Sequence, residues 1–382
     1  MSTTADHGFL ICRDSGERYP LDAPIWRSPA TGGLLDLHWP AAFPIDEIRR
    51  RPPTLWRYRE ALPVPDDADI VSLGEPITPL LPHTLPTARD GERSLLLKLD
   101  SLHASGSYKD RGSAVLISHC KRLRLPRIVE DSSGNAGASI ALYCARAGIP
   151  CDIYVPQSAS PGKLVQVRAT GANLVRVPGT REDTARAAWD AAREIYYASH
   201  CWNPFFFHGT KTFAYEVCEQ LGWKPPGSVI IPTGNGTLLI GAWIGFRDLL
   251  DAGVIDRIPR LIAVQTEACA PLARAWRTEA GETPAPTPTI AEGIAIAQPI
   301  RSAQCLEAVR ASGGTIVTVS EQQITAALGA ATRAGLFIEP TSATALAAAA
   351  QLGHDIAPEP VVVAITGHGL KAPGTIADAL GV

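Results

Sequence analysis

Arg127-Ile128-Val129-Glu130-Asp131-Ser132-Ser133-Gly134-Asn135-Ala136-Gly137 reads as a strand, a glycine turn and the start of a helix. Small residues then continue to Ala147, where Gly148 and Pro150 stop the helix. The same alternation extends outward on both sides. Upstream, Leu95–Leu99 is strand-like and Lys109–Leu123 helical; downstream, Ile153–Val155 is a strand and Gly162–Thr170 a helix ended by Gly171. Leu174–Val177 follows as a strand, and Thr180 with Asp183 caps a helix expected to reach Tyr196. After Ser228 the pattern resumes with strands at 228–233, 260–265 and 360–365, and helices at 237–250, 301–311, 321–334 and 342–351. Strands alternating with helices at this spacing predict an α/β protein with parallel sheets and right-handed crossovers.

The chain has 382 residues, 46% hydrophobic and 19% charged, with a net charge of −3. Such a composition excludes a disordered chain. The absence of a long Lys/Arg run argues against nucleic acid or an anionic membrane as partner. The 33 Gly and 32 Pro imply many turns between short elements, not a fibre or a helix bundle. Met1–His7 lacks a basic start followed by an apolar core, so no signal peptide is expected. The uncharged run Val229–Phe246 is broken by Pro232, Gly234 and Gly236 and reads as strand, turn and helix, not a membrane span. Eight scattered cysteines without a C-x-x-C pair suit a reducing, cytoplasmic setting.

The first 65 residues differ from the rest. Phe9–Cys12 and Leu34–Leu37 are short strands around turn-rich sequence, a small ribbon. Cys12, Ser15, Ser28 and Thr31 fall where a zinc ribbon would carry four ligands, but only one is a thiol, so no metal is expected. The Ala/Pro/Thr-rich run Thr278–Thr289 reads equally well as a flap or a surface excursion.

Three turns share one device, a strand leading through glycines into a following segment: Asp131–Gly137, Pro232–Thr237 and Ile365–Leu370. Where a helix follows, its freed N–H groups and dipole favour an anion. Leu239 replaces the third glycine of a dinucleotide fingerprint, and the next strand ends at Gln265 without an acid, which disfavours a nucleotide-dependent oxidoreductase. A cradle for one phosphate monoester fits better.

Ser105-Gly106-Ser107-Tyr108-Lys109-Asp110-Arg111-Gly112 puts a lysine in the first turn of a helix. The dipole there lowers an amine pKa, as a Schiff-base lysine needs. On position alone, a solvated lysine beside Asp110 and Arg111 is the competing reading. The segment resembles the pyridoxal-phosphate lysine motif of the threonine synthase group of fold-type II enzymes. Ser132–Asn135, Pro232–Thr237, Glu339-Pro340-Thr341-Ser342-Ala343 and Thr366–Lys371 resemble further motifs of that group, as do Gly74-Glu75, Thr78-Pro79-Leu80 and Gly209–Glu216. They occur in the group's order across residues 70 to 371.

The resemblance implies a tryptophan synthase β-like fold: two open, mostly parallel-sheet domains with helices on both faces. It implies an N-terminal arm and linker at 1–65, whose ribbon resembles the zinc-ribbon-like start of some members with its ligands lost. A large domain at 66–101 plus 211–382 would bind the coenzyme, and a small domain at 102–210 would carry the lysine and the carboxylate loop. Pyridoxal 5'-phosphate would be held on Lys109, which would also shuttle the α-proton. Asn135 would meet the ring hydroxyl, and backbone N–H groups of Gly234, Asn235, Gly236 and Thr237 the phosphate. Thr366 would meet the ring nitrogen through a neutral hydroxyl, so that nitrogen need not be protonated, which moderates the electron sink. Ser132, Ser133, Gly134 and Ala136 would bind the substrate carboxylate. The implied reaction is α-proton abstraction, then β/γ-elimination with replacement on an activated amino acid such as O-phosphohomoserine, giving threonine, in a homodimer.

Certain residues depart from the group's pattern. Ala136 stands for a common Thr, Cys201 for a Ser and Phe206 for an Arg, all expected near a substrate phosphate. His208, Lys211 and Lys163 could compensate. The alternatives are a serine/threonine dehydratase-like or phosphoserine-type β-elimination or β-replacement enzyme, and a non-catalytic amino-acid-binding protein. Glu292, before Gly293, reads equally as an active-site group or a salt-bridge partner.

Overall fold

A computed structural model describes residues 8–87, 91–159, 161–278, 285–353 and 357–382. The chain divides into two compact units: residues 1–76 with 109–212, and 77–108 with 213–382.

Unit one is built on a four-stranded parallel sheet in the order Asn173–Val177, Cys151–Pro156, Ile128–Glu130, Tyr196–Tyr197. Ile128, Val129 and Glu130 are all buried, so both faces of that strand are covered, as crossover helices require. Helices Lys109–Arg122, Asn135–Ala147, Arg181–Ala191 and Pro204–Thr210 belong to this unit. The capping box at Thr180 and Asp183 is present, but its helix stops at Ala191. Tyr196, expected to end that helix, instead forms a short strand with Tyr197 that pairs with Ile128 and Val129. Aromatic residues suit a half-covered pleat better than a helix end.

The N-terminal residues cluster with this unit rather than standing apart as an arm. Trp26 supplies one reason: its ring sits edge-on to Trp189, Tyr197 and Trp202 at 4.9, 5.0 and 5.6 Å. His208 Nε2 adds another by bonding the Leu37 carbonyl at 2.9 Å. The ribbon itself is a three-stranded antiparallel sheet, Arg18–Pro20, Phe9–Cys12 and Leu35–His38. Two like turns leave it. In Cys12–Gly16 and Ser28–Gly32 the closing glycine is left-handed (φ 74° and 72°) and returns its N–H to the first carbonyl at 2.9 and 2.8 Å. Cys12 Sγ meets Thr31 Oγ1 at 3.3 Å. Burial pushes the Cys12 thiol up, but hydrogen bonds from Ser15, Thr31 and Ser28 outweigh it and bring it down to about 6. No cluster of three or more His, Cys, Asp or Glu fit to hold a metal occurs among the described residues.

Unit two carries a six-stranded sheet in the order Thr315–Val319, Arg260–Thr266, Ser228–Pro232, Val361–Ala364, Gly91–Lys98, Leu80–Thr87. All pairs are parallel except the last. The antiparallel edge strand was not legible in the sequence because Pro82 and Pro86 interrupt it; an edge tolerates prolines that a central strand does not. Residues 102–108, expected with the smaller domain, cluster here. Backbone bonds tie them down: Ser101 N–H to the Ile365 carbonyl and Tyr108 N–H to that of Thr366, both 3.0 Å. The expected excursion Thr278–Thr289 lies in part outside the described residues. No helix among the described residues is long and apolar enough to cross a membrane.

Candidate functional site

Lys109 opens its helix in unit one, half-buried, with Nζ 5.7 Å from the centre of the Phe206 ring. It is therefore not a solvated lysine among surface charges. Its neighbours Asp110 and Arg111 are wholly buried and anchor the helix start. Ser139 Oγ donates to Asp110 Oδ1 at 2.6 Å, and Arg111 Nη1 to Thr212 Oγ1 at 3.1 Å. Phe206, wholly buried, lies against Gly112, where a Cβ would come within 2.5 Å of its ring. Gly209 answers from the other side, since a Cβ there would collide with the Arg111 carbonyl. Two glycines thus let the lysine helix and the Pro204–Thr210 helix approach, and Phe206 floors the amine.

Ser132, Ser133 and Gly134 form the turn that ends the strand Ile128–Glu130, and Asn135 begins the thirteen-residue helix Asn135–Ala147. Gly134 N–H reaches Ser132 Oγ at 3.3 Å, and the cap offers no side chain to the first-turn N–H groups. Gly137 is required because a Cβ would collide with the Ser132 carbonyl. Ala136 is buried and presents no polar atom beyond its backbone.

Sequence reasoning missed the ionisable groups behind this turn. Glu130 Oε1 lies 2.6 Å from His200 Nδ1, while Oε2 is buried without a hydrogen-bond partner. Burial pushes Glu130 up to about 8, against backbone hydrogen bonding and the charges of Lys109 and Arg181. His200 is held well below the usual imidazole range by burial and then by Lys109. Burial, with the charge of Glu130, lifts Asp131 to about 6, although Tyr197 donates to it at 2.5 Å. Cys201 is raised by burial and stays a thiol. The charged letters Glu130-Asp131 were visible, but nothing in the sequence showed that the strand end would be wholly covered.

In unit two, the strand Ser228–Pro232 runs through Thr233, Gly234, Asn235 and Gly236 into the fifteen-residue helix Thr237–Asp251. Gly236 is left-handed (φ 77°), and at Gly234 a Cβ would sit 2.9 Å from Ile294 Cα. The helix begins without a side-chain cap, after a left-handed turn that favours glycine. Tyr108 Oη lies 2.7 Å from Thr237 Oγ1, a second hydroxyl at that helix start which the sequence did not single out. These features fit an anionic phosphate monoester, as the half-buried Lys109 in unit one fits an aldehyde-bearing coenzyme.

Thr366, 2% exposed, sits in the turn after Val361–Ala364, within 3.1 Å of Ser342 Oγ and 3.2 Å of Glu339 Oε1. A carboxyl group thus stands beside the hydroxyl that was expected to act without one. The matching pieces Glu339–Ala343 and Thr366–Lys371 meet through these bonds. Other motifs are structural. Glu75 gathers Trp56, Ser72 and Tyr143, and Glu216 pairs with Lys98 at 2.7 Å, both wholly buried. Glu292 is exposed, His208 and Lys211 are buried, and the Lys163 side chain lies outside the described residues.

A profile of pyridoxal-phosphate dependent enzymes matches residues 71–367. The chain belongs to that family. It is similar to the threonine synthase of Methanocaldococcus jannaschii, 34% identical over 375 residues that cover 95% of this chain and 92% of the relative. It is also 31% identical to that of Methanosarcina acetivorans, over 97% and 93% of the two chains. Among solved structures, threonine deaminase isoform 2 of Solanum lycopersicum superposes with a TM-score of 0.67 at 21% identity, covering 90% of each chain. The L-serine ammonia-lyase of Rhizomucor miehei gives 0.66 at 22%, over 79% and 97%. The fold is that of the fold-type II enzymes. The coenzyme is pyridoxal 5'-phosphate, and the protein is a lyase of the threonine synthase-like kind. The oxidoreductase and binding-module readings fall with that assignment.

Proposed function

We propose that this enzyme removes the α-proton of an activated amino acid, expels an oxygen substituent from the γ- or β-carbon and completes the replacement by adding water, with O-phosphohomoserine and water giving threonine and inorganic phosphate as the leading reaction. The observation that supports it is the identity to threonine synthases along nearly the whole chain. Bound pyridoxal phosphate supplies an aldehyde that captures amines and a ring that takes up the electron pair left at the α-carbon. Lys109 holds the coenzyme through Nζ and, once displaced, takes and returns the substrate's protons at that atom. The Phe206 ring beneath it excludes water from one side. Asn135 orients the ring hydroxyl. Backbone N–H groups of Gly234, Asn235, Gly236 and Thr237 hold the phosphate. Those of Ser132, Ser133, Gly134 and Ala136, with the two serine hydroxyls, bind the α-carboxylate. Thr366 meets the ring nitrogen. By resemblance we further propose a cytoplasmic homodimer, which the mass in solution tests.

A second reading is favoured by one observation. Phe206 and Cys201 put an aromatic ring and an un-ionised thiol where a leaving phosphate would need charge. A serine- or threonine-like substrate needs none. The assay that separates the two readings incubates the holoenzyme with O-phosphohomoserine and measures threonine and inorganic phosphate in equal amounts. Keto acid and ammonia from serine or threonine, with no phosphate released, would overturn the leading reaction in favour of the second.

A further inference from the structure

Glu130 and His200 stand at the carboxyl edge of the sheet in unit one. The strands Ile128–Glu130 and Tyr196–Tyr197 are parallel neighbours, and the Ala198 N–H takes the Val129 carbonyl at 2.9 Å. Glu130 ends the first strand and leads into the turn Ser132–Gly134, and His200 follows the second strand by three residues. In open parallel sheets this edge is where ligands bind. Phe206 ties the pair to Lys109. The His200 ring stands at 69° to the Phe206 ring with 6.0 Å between centres, and Lys109 Nζ lies over that same ring at 5.7 Å. Neither Glu130 nor His200 has a part in the chemistry assigned to Lys109.

Burial fixes where the protons of this pair sit. Glu130 Oε1 lies 2.6 Å from His200 Nδ1, and Oε2 is buried without a partner. Both groups are held neutral by burial, the carboxyl raised to about 8 and the imidazole lowered well below its usual range. A carboxyl proton on Oε2 would be a buried donor with nothing to receive it; on Oε1 it is donated to Nδ1. A neutral imidazole has one donor and one acceptor, so with Nδ1 accepting, the ring proton is on Nε2. The two nitrogens point away from each other, which turns Nε2 away from Glu130. Among the described residues none hydrogen-bonds Nε2, and His200 stays 5% exposed. Asp131, beside Glu130, takes the Tyr197 hydroxyl instead, at 2.5 Å.

We propose that His200 donates its Nε2 proton to the departing oxygen of the substrate, with Glu130 as the positioning residue that fixes the tautomer and replaces the proton. The proposal rests on the reading that Lys109 removes the α-proton of an amino acid. As the carbon–oxygen bond breaks, its electron pair leaves on oxygen, and that oxygen takes the proton from Nε2. Nδ1 then takes the Glu130 proton, which leaves a carboxylate and a neutral imidazole. Lys109, having gained the α-proton, is an ammonium whose charge reaches Glu130 and favours the new carboxylate. Water entering in the replacement leaves its hydroxyl on carbon and returns its proton to the pair by the reverse path. For a departing phosphate, the donated proton offsets charge that Phe206 and Cys201 leave unmatched; for a departing hydroxyl, it turns hydroxide into water.

The test separates removal of the α-proton from loss of the oxygen substituent. Deuterium exchange into L-2-aminobutyrate, which has no leaving group, reads the first. Phosphate from O-phosphohomoserine or keto acid from L-serine, whichever the wild-type holoenzyme forms, reads the second. His200→Asn is expected to slow elimination about a hundredfold or more, while exchange and borohydride trapping at Lys109 stay close to the wild type. Glu130→Gln, which keeps the shape but holds no transferable carboxyl proton, is expected to show the same split with a smaller loss. Elimination at the wild-type rate in His200→Asn, or exchange that falls in step with elimination, would overturn the proposal. A wild type that exchanges but forms neither product would overturn it too and leave the role of Lys109 intact. A wild type that exchanges no α-deuterium would overturn the reading of Lys109, and the proposal with it. If the variants do not fold, the nitrogen-15 spectrum of the wild type decides: a neutral His200 protonated at Nε2 supports the proposal, and protonation at Nδ1 overturns it.

Discussion

The two units bury ionisable groups in opposite ways. In unit one, Glu130, His200 and Cys201 are covered together near Lys109, and each is driven toward its neutral form. In unit two, Lys98 and Glu216 are equally buried yet remain an ion pair, because Lys98 Nζ finds three acceptors: Glu216 at 2.7 Å, the Thr78 carbonyl at 2.7 Å and Gln220 at 2.8 Å. Thr78 in turn donates to Asp100 at 2.7 Å. Burial alone does not decide charge; the number of satisfied partners does. Unit one leaves Glu130 Oε2 unpartnered, which a neutral carboxyl tolerates far better than a carboxylate. The outcome is a group of neutral buried side chains near Lys109 in unit one, and a buried cation with its acceptors in place in unit two.

The largest expected effect tests whether unit one is chemical in purpose. Lys109→Ala should lower turnover by about a thousandfold or more, abolish the visible absorbance of the coenzyme linkage, and leave no borohydride-trapped adduct at position 109. Retained turnover would break the functional half of the comparison. Next in size is the structural half: Lys98→Met leaves Glu216 buried without its cation and should cost about 3–5 kcal/mol, read as a lower denaturation midpoint. Full stability in that variant would mean the pair is not held as drawn. Third is Glu130→Gln, which copies the neutral carboxyl. A carboxyl raised from 4.5 to about 8 contributes stability that is fully present below pH 4.5 and lost as pH climbs through 8. Asp131, lifted to about 6, adds the same sign below that pH, and His200 the opposite sign on the acid side. The wild type should therefore lose a few kcal/mol between pH 5 and 8 that the glutamine variant keeps. Parallel melting curves at both pH values would remove Glu130 from the account.

The α/β alternation and the motif positions were legible because each strand–glycine–helix junction is local. Ile128–Glu130 with Asn135–Ala147, and Ser228–Pro232 with Thr237–Asp251, follow from apolar runs and glycines a few residues apart. What the sequence hid is long-range. Asp110 and Arg111 read as surface charges until Ser139 and Thr212 arrive from other elements to bury them. Glu339 lies 27 residues before Thr366, so the carboxylate beside that hydroxyl cannot be inferred from either segment alone. The His200 partner of Glu130 is 70 residues away. Tyr108 was overlooked for the opposite reason: it adjoins the lysine, and its hydroxyl matters only through Thr237, 129 residues on. Local chemistry located the candidate groups, and tertiary contacts decided their charge.

The smallest predicted effect distinguishes a glycine that shapes the lysine's surroundings from one that does not. In a helix interior, alanine is favoured over glycine by about 1 kcal/mol, so Gly→Ala should ordinarily stabilise. Gly374, in the helix Pro373–Leu380 of unit two, has nothing within 4 Å of the added Cβ, and Gly374→Ala should be neutral or slightly stabilising. An added Cβ at Gly112 would come within 2.5 Å of the Phe206 ring, which is wholly buried. Overpacking of this kind costs about 1–3 kcal/mol, enough to reverse the sign. Gly112→Ala should therefore lower the melting temperature while Gly374→Ala does not, and adding Phe206→Leu should recover part of the loss through a measurable coupling between the two positions. Because Lys109 Nζ lies over the same ring, Gly112→Ala should also change how readily borohydride traps the coenzyme at that lysine. Additive stabilities in the double variant would show that Phe206 yields to the new methyl group, and the packing that holds the ring beneath the amine would be looser than the distances imply.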